Sequence, residues 1–389
     1  MGAAPAFTAR VGSSSLYDFI FASFAFFLGA SVGSFLNVCI YRLPLGLSVN
    51  NPKRSFCPSC KYQIPFHHNI PLITWLALRG KCANCGAKIS FRYFGVELLT
   101  GLMFLAVWLK VWTWGRPDWP DQAWALALPY WIMISLFIVA TFIDFEHFMI
   151  PDEITIGGVI VGVVLSFAIP TLQDQESNLM GALWSLIGAG VGYAVLWAVV
   201  NAGRMAFGKK RLTFEKDTTF KWIRHGEDAD FTVGEDKELW TEFFFRGNEQ
   251  VLLKCSWIEI DGERHEKADV RMEFNWLHIG GKKWNLDKVD EIHGEATEVT
   301  LPREAMGFGD VKFIASIGAF LGWKAVFFTV IASSSIGAVV GVATIALGRR
   351  EWSAKIPFGP YLALGALIWL FKGPEILHWY LGLMQPTVG

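Results

Sequence analysis

Long charge-free apolar blocks separated by short polar connectors dominate the chain. They run from Phe19 to Ile40, Ala123 to Ile143, Ile154 to Leu172, Asn178 to Gly203 and Ala325 to Gly348. Each is near the ~20 residues that a helix needs to cross a bilayer. Three further blocks are weaker span candidates: Val96 to Trp112 holds Glu97 and Lys110 near its ends, Ile356 to Phe371 is short, and Gly307 to Trp323 contains Asp310 and Lys312. Tilt and snorkelling accommodate such segments. The pattern predicts an all-α polytopic membrane protein with about eight transmembrane helices.

One stretch departs from it. Between Arg204 and Glu304 the periodicity shortens, with strand candidates at Trp240 to Phe245, Val251 to Ile260 and Val270 to Phe274 and a turn at Asp261-Gly262. This is a small β-rich insertion. The predicted organisation is a first membrane segment over 1–41, a polar loop over 42–95, helices two to five over 96–203, the inserted module over 204–305, and helices six to eight over 306–389. Nothing in the module resembles a nucleotide, metal or catalytic pattern, since Cys255, His265, His278 and His293 are scattered; a docking or stabilising role is expected.

Composition agrees with the membrane reading: 53% of residues are hydrophobic and the mean hydropathy is +0.36. The net charge of -1 conceals an uneven distribution, because 17 of the 34 basic and 22 of the 35 acidic residues lie between Arg204 and Glu304. The loop from Arg42 to Arg92 holds eight Lys or Arg and no acid, so it is expected in the cytosol. Eight spans then put both termini in the periplasm. Asp144 to Glu153, the insertion, and the basic turn with Arg349, Arg350 and Lys355 fall on the cytosolic side. No cleavable signal peptide is evident, so the first block is expected to remain as a span. The bilayer is an expected partner and nucleic acid is not.

Cys57-Pro-Ser-Cys60 and Cys82-Ala-Asn-Cys85 form two CxxC pairs separated by 21 residues. That spacing suits a tetrahedral four-cysteine zinc site, closed and structural, with no open position for water. Disulfides or idle thiols are the alternative, disfavoured in a reducing compartment. His67 and His68 read as ordinary loop residues, and Cys39 as a packing residue.

Two acids border apolar runs. Asp144 ends Thr141-Phe142-Ile143-Asp144, where an acid at a helix C-terminus opposes the macrodipole, whereas Asp152 and Glu153 after Pro151 suit a helix start. Asp310 sits in Gly307-Phe308-Gly309-Asp310-Val311-Lys312. An acid in a span needs a partner or a use. Lys312 is one candidate partner; Gly307 and Gly309 leave room for a peptide backbone beside the carboxyl, which is the other reading. The predicted topology puts Asp144 and Asp310 at one membrane face. Two carboxyls in contact share a proton, activating a water while donating to a peptide carbonyl, which is aspartyl proteolysis.

Further segments carry a family resemblance. Gly33 to Val38 with Arg42-Leu43-Pro44, the double CxxC loop with Asn69-Ile70-Pro71, and Arg92-Tyr93 before Glu97 to Thr100 resemble bacterial type IV prepilin peptidases. Ile143-Asp144, Ile150-Pro151-Asp152, Gly307 to Lys312 with Gly318-Ala319, and Pro357-Phe358-Gly359-Pro360 follow in the family's order. The resemblance implies an enzyme of the inner membrane that cleaves the leader of a type IV prepilin or type II secretion pseudopilin at the cytosolic face, with Asp144 and Asp310 catalytic. It also implies N-methylation of the new terminus with S-adenosylmethionine; the residues assign that cofactor no site. The Arg204 to Glu304 insertion departs from the family pattern. Another GxGD-type intramembrane protease would share the aspartates but not the cysteine loop. A proton-coupled transporter would place its acids near mid-membrane, and a zinc-ribbon scaffold leaves both aspartates without a role.

Overall fold

The computed structural model describes residues 16–52, 55–57, 59–65, 69–113, 123–207, 209–226, 228–234, 236–244, 249–302, 307–347 and 357–384. His67, His68, Arg349, Arg350 and Lys355 lie outside them. Two compact units are present, one comprising Met1–Leu196 with Phe308–Gly389 and the other Trp197–Gly307.

The first unit is helical. Its elements are α1 (Leu16–Arg42), the short α2 (Ile73–Ala77), α3 (Phe91–Thr113), α4 (Ala127–His147), α5 (Asp152–Ala168), α6 (Asn178–Phe207), α7 (Phe308–Ala346) and α8 (Gly359–Met384). Five of these, α1, α3, α4, α6 and α7, are long and apolar enough to cross a membrane. Their side chains leave apolar surface outward, Phe19, Phe24, Leu179 and Ile331 among them, as lipid-facing helices require. The α5 helix has 17 residues, and α8 carries Pro374, Lys372 and Glu375 within its length.

The two blocks expected on either side of Lys324 join in α7, which breaks at Gly322 (φ 78°, ψ 170°). A break frees carbonyls that lipid cannot satisfy. Gln173 Nε2 donates to Ala319 O at 2.8 Å and to Phe320 O at 3.3 Å, and Ser185 Oγ donates to Ala319 O at 2.7 Å. The α6 and α7 backbones meet at Gly188 and Gly318, where a Cβ on either would lie 2.2 Å from the other's carbonyl oxygen. Small residues allow the close approach that holds membrane helices together without a hydrophobic driving force. That contact fixes the helix whose first turn carries Asp310.

The second unit is an eight-stranded antiparallel sheet in the order β3-β2-β1-β8-β4-β5-β6-β7. The strands are β1 (Lys209–His225), β2 (Asp228–Val233), β3 (Asp236–Leu239), β4 (Val251–Ile260), β5 (Glu263–Met272), β6 (Trp276–Ile279), β7 (Lys282–Asn285) and β8 (Glu291–Pro302). Phe220, Trp222, Phe231, Leu253, Ile258, Ile292 and Val299 form its core. The expected strand Val251 to Ile260 is β4, and Asp261 and Gly262 turn with φ 45° and 91°. Trp240 to Phe245 was expected as a strand; Trp240–Phe243 is instead a 3₁₀ turn, whose period of three sends both Trp240 and Phe243 into the core. The strand expected at Val270 to Phe274 begins earlier, at Glu263, because charged residues occupy its outer face while Ala268, Val270 and Met272 point inward.

Candidate active site and metal centre

Asp144 lies in the last turn of α4 and is 5% exposed. The chain reverses at Phe148, which adopts φ 52° and caps α4 by donating its N–H to Asp144 O. Pro151 then opens α5, with Asp152 and Glu153 in the first turn, where the helix dipole favours acids. Asp310 lies in the first turn of α7 and is 8% exposed. Both carboxyls therefore sit at helix ends, which does not suit a mid-membrane relay.

Ile150 links the two segments. A Cβ at Gly309 would lie 3.4 Å from Ile150 Cβ and N. On its other side, a Cβ at Gly359 would lie 2.9 Å from Ile150 Cδ1 and 2.8 Å from Asp144 Oδ2. Gly359 N–H donates to that same Asp144 oxygen at 2.9 Å. The first turn of α8 thus holds Asp144, and the glycine preceding Asp310 packs on the residue beside it. Lys312 is committed elsewhere: its Nζ is 2.6 Å from Asp152 Oδ1. Gly307, directly before α7, is exposed. In the sequence Gly359 and Ile150 stand out only within runs that resemble the family's, Pro357 to Pro360 and Ile150 to Asp152; the contacts they make with Asp144 and Gly309 were not legible in it.

The cysteines form two matching knuckles. Lys61 N–H donates to Cys57 O at 2.8 Å and Gly86 N–H to Cys82 O at 2.9 Å; Cys57 N–H reaches Tyr62 O and Cys82 N–H reaches Ala87 O. The residue after each second cysteine is left-handed, Lys61 at φ 57° and Gly86 at φ 71°. All four sulfurs lie within 4.8 Å of one another, and Cys57 Sγ and Cys85 Sγ are 3.9 Å apart. Zinc–sulfur bonds of about 2.3 Å in a tetrahedron require sulfurs roughly 3.8 Å apart, so the cluster can hold a metal ion. Within the cluster the backbone N–H of Cys60, followed by that of Ser59, pulls the Cys57 thiol down to about 6, while at Cys85, against the backbone N–H of Ala87, the neighbouring cysteine sulfurs, Cys60 foremost, push the thiol up to about 11.

Comparison with known proteins agrees with this architecture. Residues 27–111 match the bacterial peptidase A24 N-terminal domain, and residues 131–212 and 296–342 match the type IV leader peptidase family. The chain belongs to the type IV leader peptidase family. The second match steps over most of the sheet unit. A prepilin leader peptidase/N-methyltransferase from Aeromonas hydrophila is 29% identical over 93% of this chain and 94% of its own. One from Myxococcus xanthus is 37% identical over 52% of this chain and 57% of its own, and a type 4 prepilin-like proteins leader peptide-processing enzyme from Escherichia coli is 38% identical over 39% and 60%. No solved structure matches the chain. The chain is therefore a multi-pass membrane peptidase.

Proposed function

We propose that Asp144 and Asp310 are the catalytic pair of an intramembrane aspartyl endopeptidase that removes the leaders of type IV prepilins or type II secretion pseudopilins at the cytosolic membrane face. The contact of Ile150 with both Gly309 and Gly359 carries this reading, because it draws the segment of Asp310 toward the helix end of Asp144. One carboxylate takes a proton from water as the oxygen attacks the scissile carbonyl carbon; the other carboxyl gives its proton to the carbonyl oxygen. The tetrahedral intermediate then collapses, the C–N bond breaks and the leaving nitrogen takes a proton. Gly307 and Gly309 leave the substrate backbone room to lie alongside.

In this reading Cys57, Cys60, Cys82 and Cys85 hold a structural zinc ion that folds the basic cytosolic loop; such an ion contributes on the order of 10 kcal/mol to a loop with little core of its own. Eight spans, counting α5, both halves of α7 and α8, put both termini in the periplasm. The inserted sheet is a docking or stabilising module. The enzyme also methylates the new N-terminal amine; S-adenosylmethionine, when bound, supplies an electrophilic methyl group. Mass spectrometry of a prepilin co-expressed with this chain tests both activities. Mature pilin lacking its leader and carrying one added methyl group supports them, and an intact leader contradicts the peptidase reading.

A further inference from the structure

The α5 and α7 helices run side by side in the same direction. Gly158 and Gly162 on α5 meet Ser316 and Ala319 on α7, where a Cβ at either glycine would lie 3.1 Å and 2.9 Å from the facing Cβ. Ser316 and Ala319 continue a stripe that begins at Lys312, at positions i, i+4 and i+7 of one helix face. Small residues close this seam tightly. It ends in a charged step, where Lys312 Nζ lies 2.6 Å from Asp152 Oδ1.

Helix stability does not account for that step. A long side chain on a helix leans toward the N-terminus, so Lys312 brings its cation to the positive ends of both α5 and α7, against their dipoles. The Lys312 and Asp152 side chains are 26% and 58% exposed, and an ion pair so exposed contributes little to folding. Its geometry is nonetheless held. Lys312 Nζ lies 5.4 Å from the Phe308 ring centroid, and that ring packs edge-on against Tyr193 of α6 with centroids 6.1 Å apart. A cation that opposes the dipoles and adds little to the fold suits a positioning task.

Helix geometry says what is positioned. Residues two apart on a helix do not share a face, so holding Lys312 on the α5 side turns Asp310 away from α5. Asp310 shares a face with Phe313, three residues on, and Phe313 packs edge-on against Phe137 of α4 with centroids 5.4 Å apart. Phe137 in turn shares a face of α4 with Asp144, seven residues on, and both are buried. The rotation of the first turns of α7 is thus fixed at two points, by the ion pair on the α5 side and by the ring pair on the α4 side.

We infer that Asp152 and Lys312 are positioning residues, whose ion pair closes the α5–α7 seam at its active-site end and sets the rotation that directs Asp310 toward Asp144. The inference rests on the paired-aspartate reading above. Steady-state cleavage of a prepilin by the purified full chain tests it in Asp152→Asn, Lys312→Met and the double variant, each checked by its unfolding temperature. Each single variant should lower kcat about tenfold or more at unchanged KM. The double variant should lose no more than either single one, because the two side chains act as one unit. Lys312→Arg, which keeps the charge, should recover most of the lost kcat. Wild-type kcat in both single variants, losses that multiply in the double variant, or a raised KM with kcat retained overturns the assignment. If Lys312→Met fails to fold, the exposed Asp152→Asn decides alone by the same kcat and KM criteria. Asp310→Asn separates the two readings. Wild-type cleavage by it overturns the paired aspartates, whereas its loss of cleavage beside wild-type kcat in Asp152→Asn overturns the ion-pair role only.

Discussion

The Gly359 N–H donates to Asp144 Oδ2 at 2.9 Å, and a side chain at Gly359 would press on that same oxygen from 2.8 Å. The glycine is required twice, once for its donor and once for the space beside it. A carboxyl at the end of a helix otherwise faces the negative pole of the dipole; this hydrogen bond supplies the compensation and orients the group.

Gly359→Ala should therefore move Asp144 without removing it. Leader cleavage is expected to fall about a hundredfold, the scale on which small misplacements act, with helicity by circular dichroism retained. Activity equal to wild type would show that Asp144 tolerates displacement.

Gly318→Ala tests the backbone contact that carries α7. Its Cβ would meet Gly188 O at 2.2 Å, and backbone cannot swing aside as a side chain can. Overpacking of this kind costs about 1–3 kcal/mol, so the variant should lose thermal stability in detergent, read by a scanning unfolding assay, and leader cleavage with it.

Much of this architecture was legible in the chain, and the reasons differ by element. Apolar blocks of bilayer length announce helices because lipid admits little else, and CxxC spacing announces knuckles because the turn is local. The break at Gly322 was hidden, since the donors that satisfy it come from Gln173, well over a hundred residues away in sequence. Likewise Lys312 looked like a partner for Asp310 by proximity along the chain, yet Asp152 meets it through the fold. In the sheet, β1 and β8 escaped notice because charges such as Lys221 and Glu298 on their outer faces dilute the inward alternation of Phe220, Trp222, Ile292 and Val299.

Removing the metal should act on the loop first. Chelation, or Cys82→Ser, is expected to abolish about one equivalent of zinc by elemental analysis and to expose residues 55–90 to proteolysis, with the sheet unit still resistant. Full zinc content in Cys82→Ser would exclude that cysteine as a ligand.

The sheet unit should be sensitive to acid. Glu298 is held below its ordinary value of 4.5, first by its hydrogen bond with Arg211 and then by Lys254; Asp230 is held below 3.8, first by Lys237. A depressed folded-state value means that the stabilisation is complete above the ordinary carboxylate range and is lost as pH falls through the lower folded values. Amide exchange in β1, β4 and β8 should therefore accelerate below about pH 4. Arg211→Ala should flatten that dependence; an unchanged acid response would assign it to other groups.

The central claim is that Asp144 and Asp310 share the chemistry. Its most direct measurement is cleavage of a prepilin by purified enzyme carrying Asp144→Asn or Asp310→Asn, near-isosteric changes that remove the acid–base group. Each variant should retain its fold and lose cleavage by about a thousandfold or more. Wild-type cleavage by either variant would contradict the paired-aspartate account.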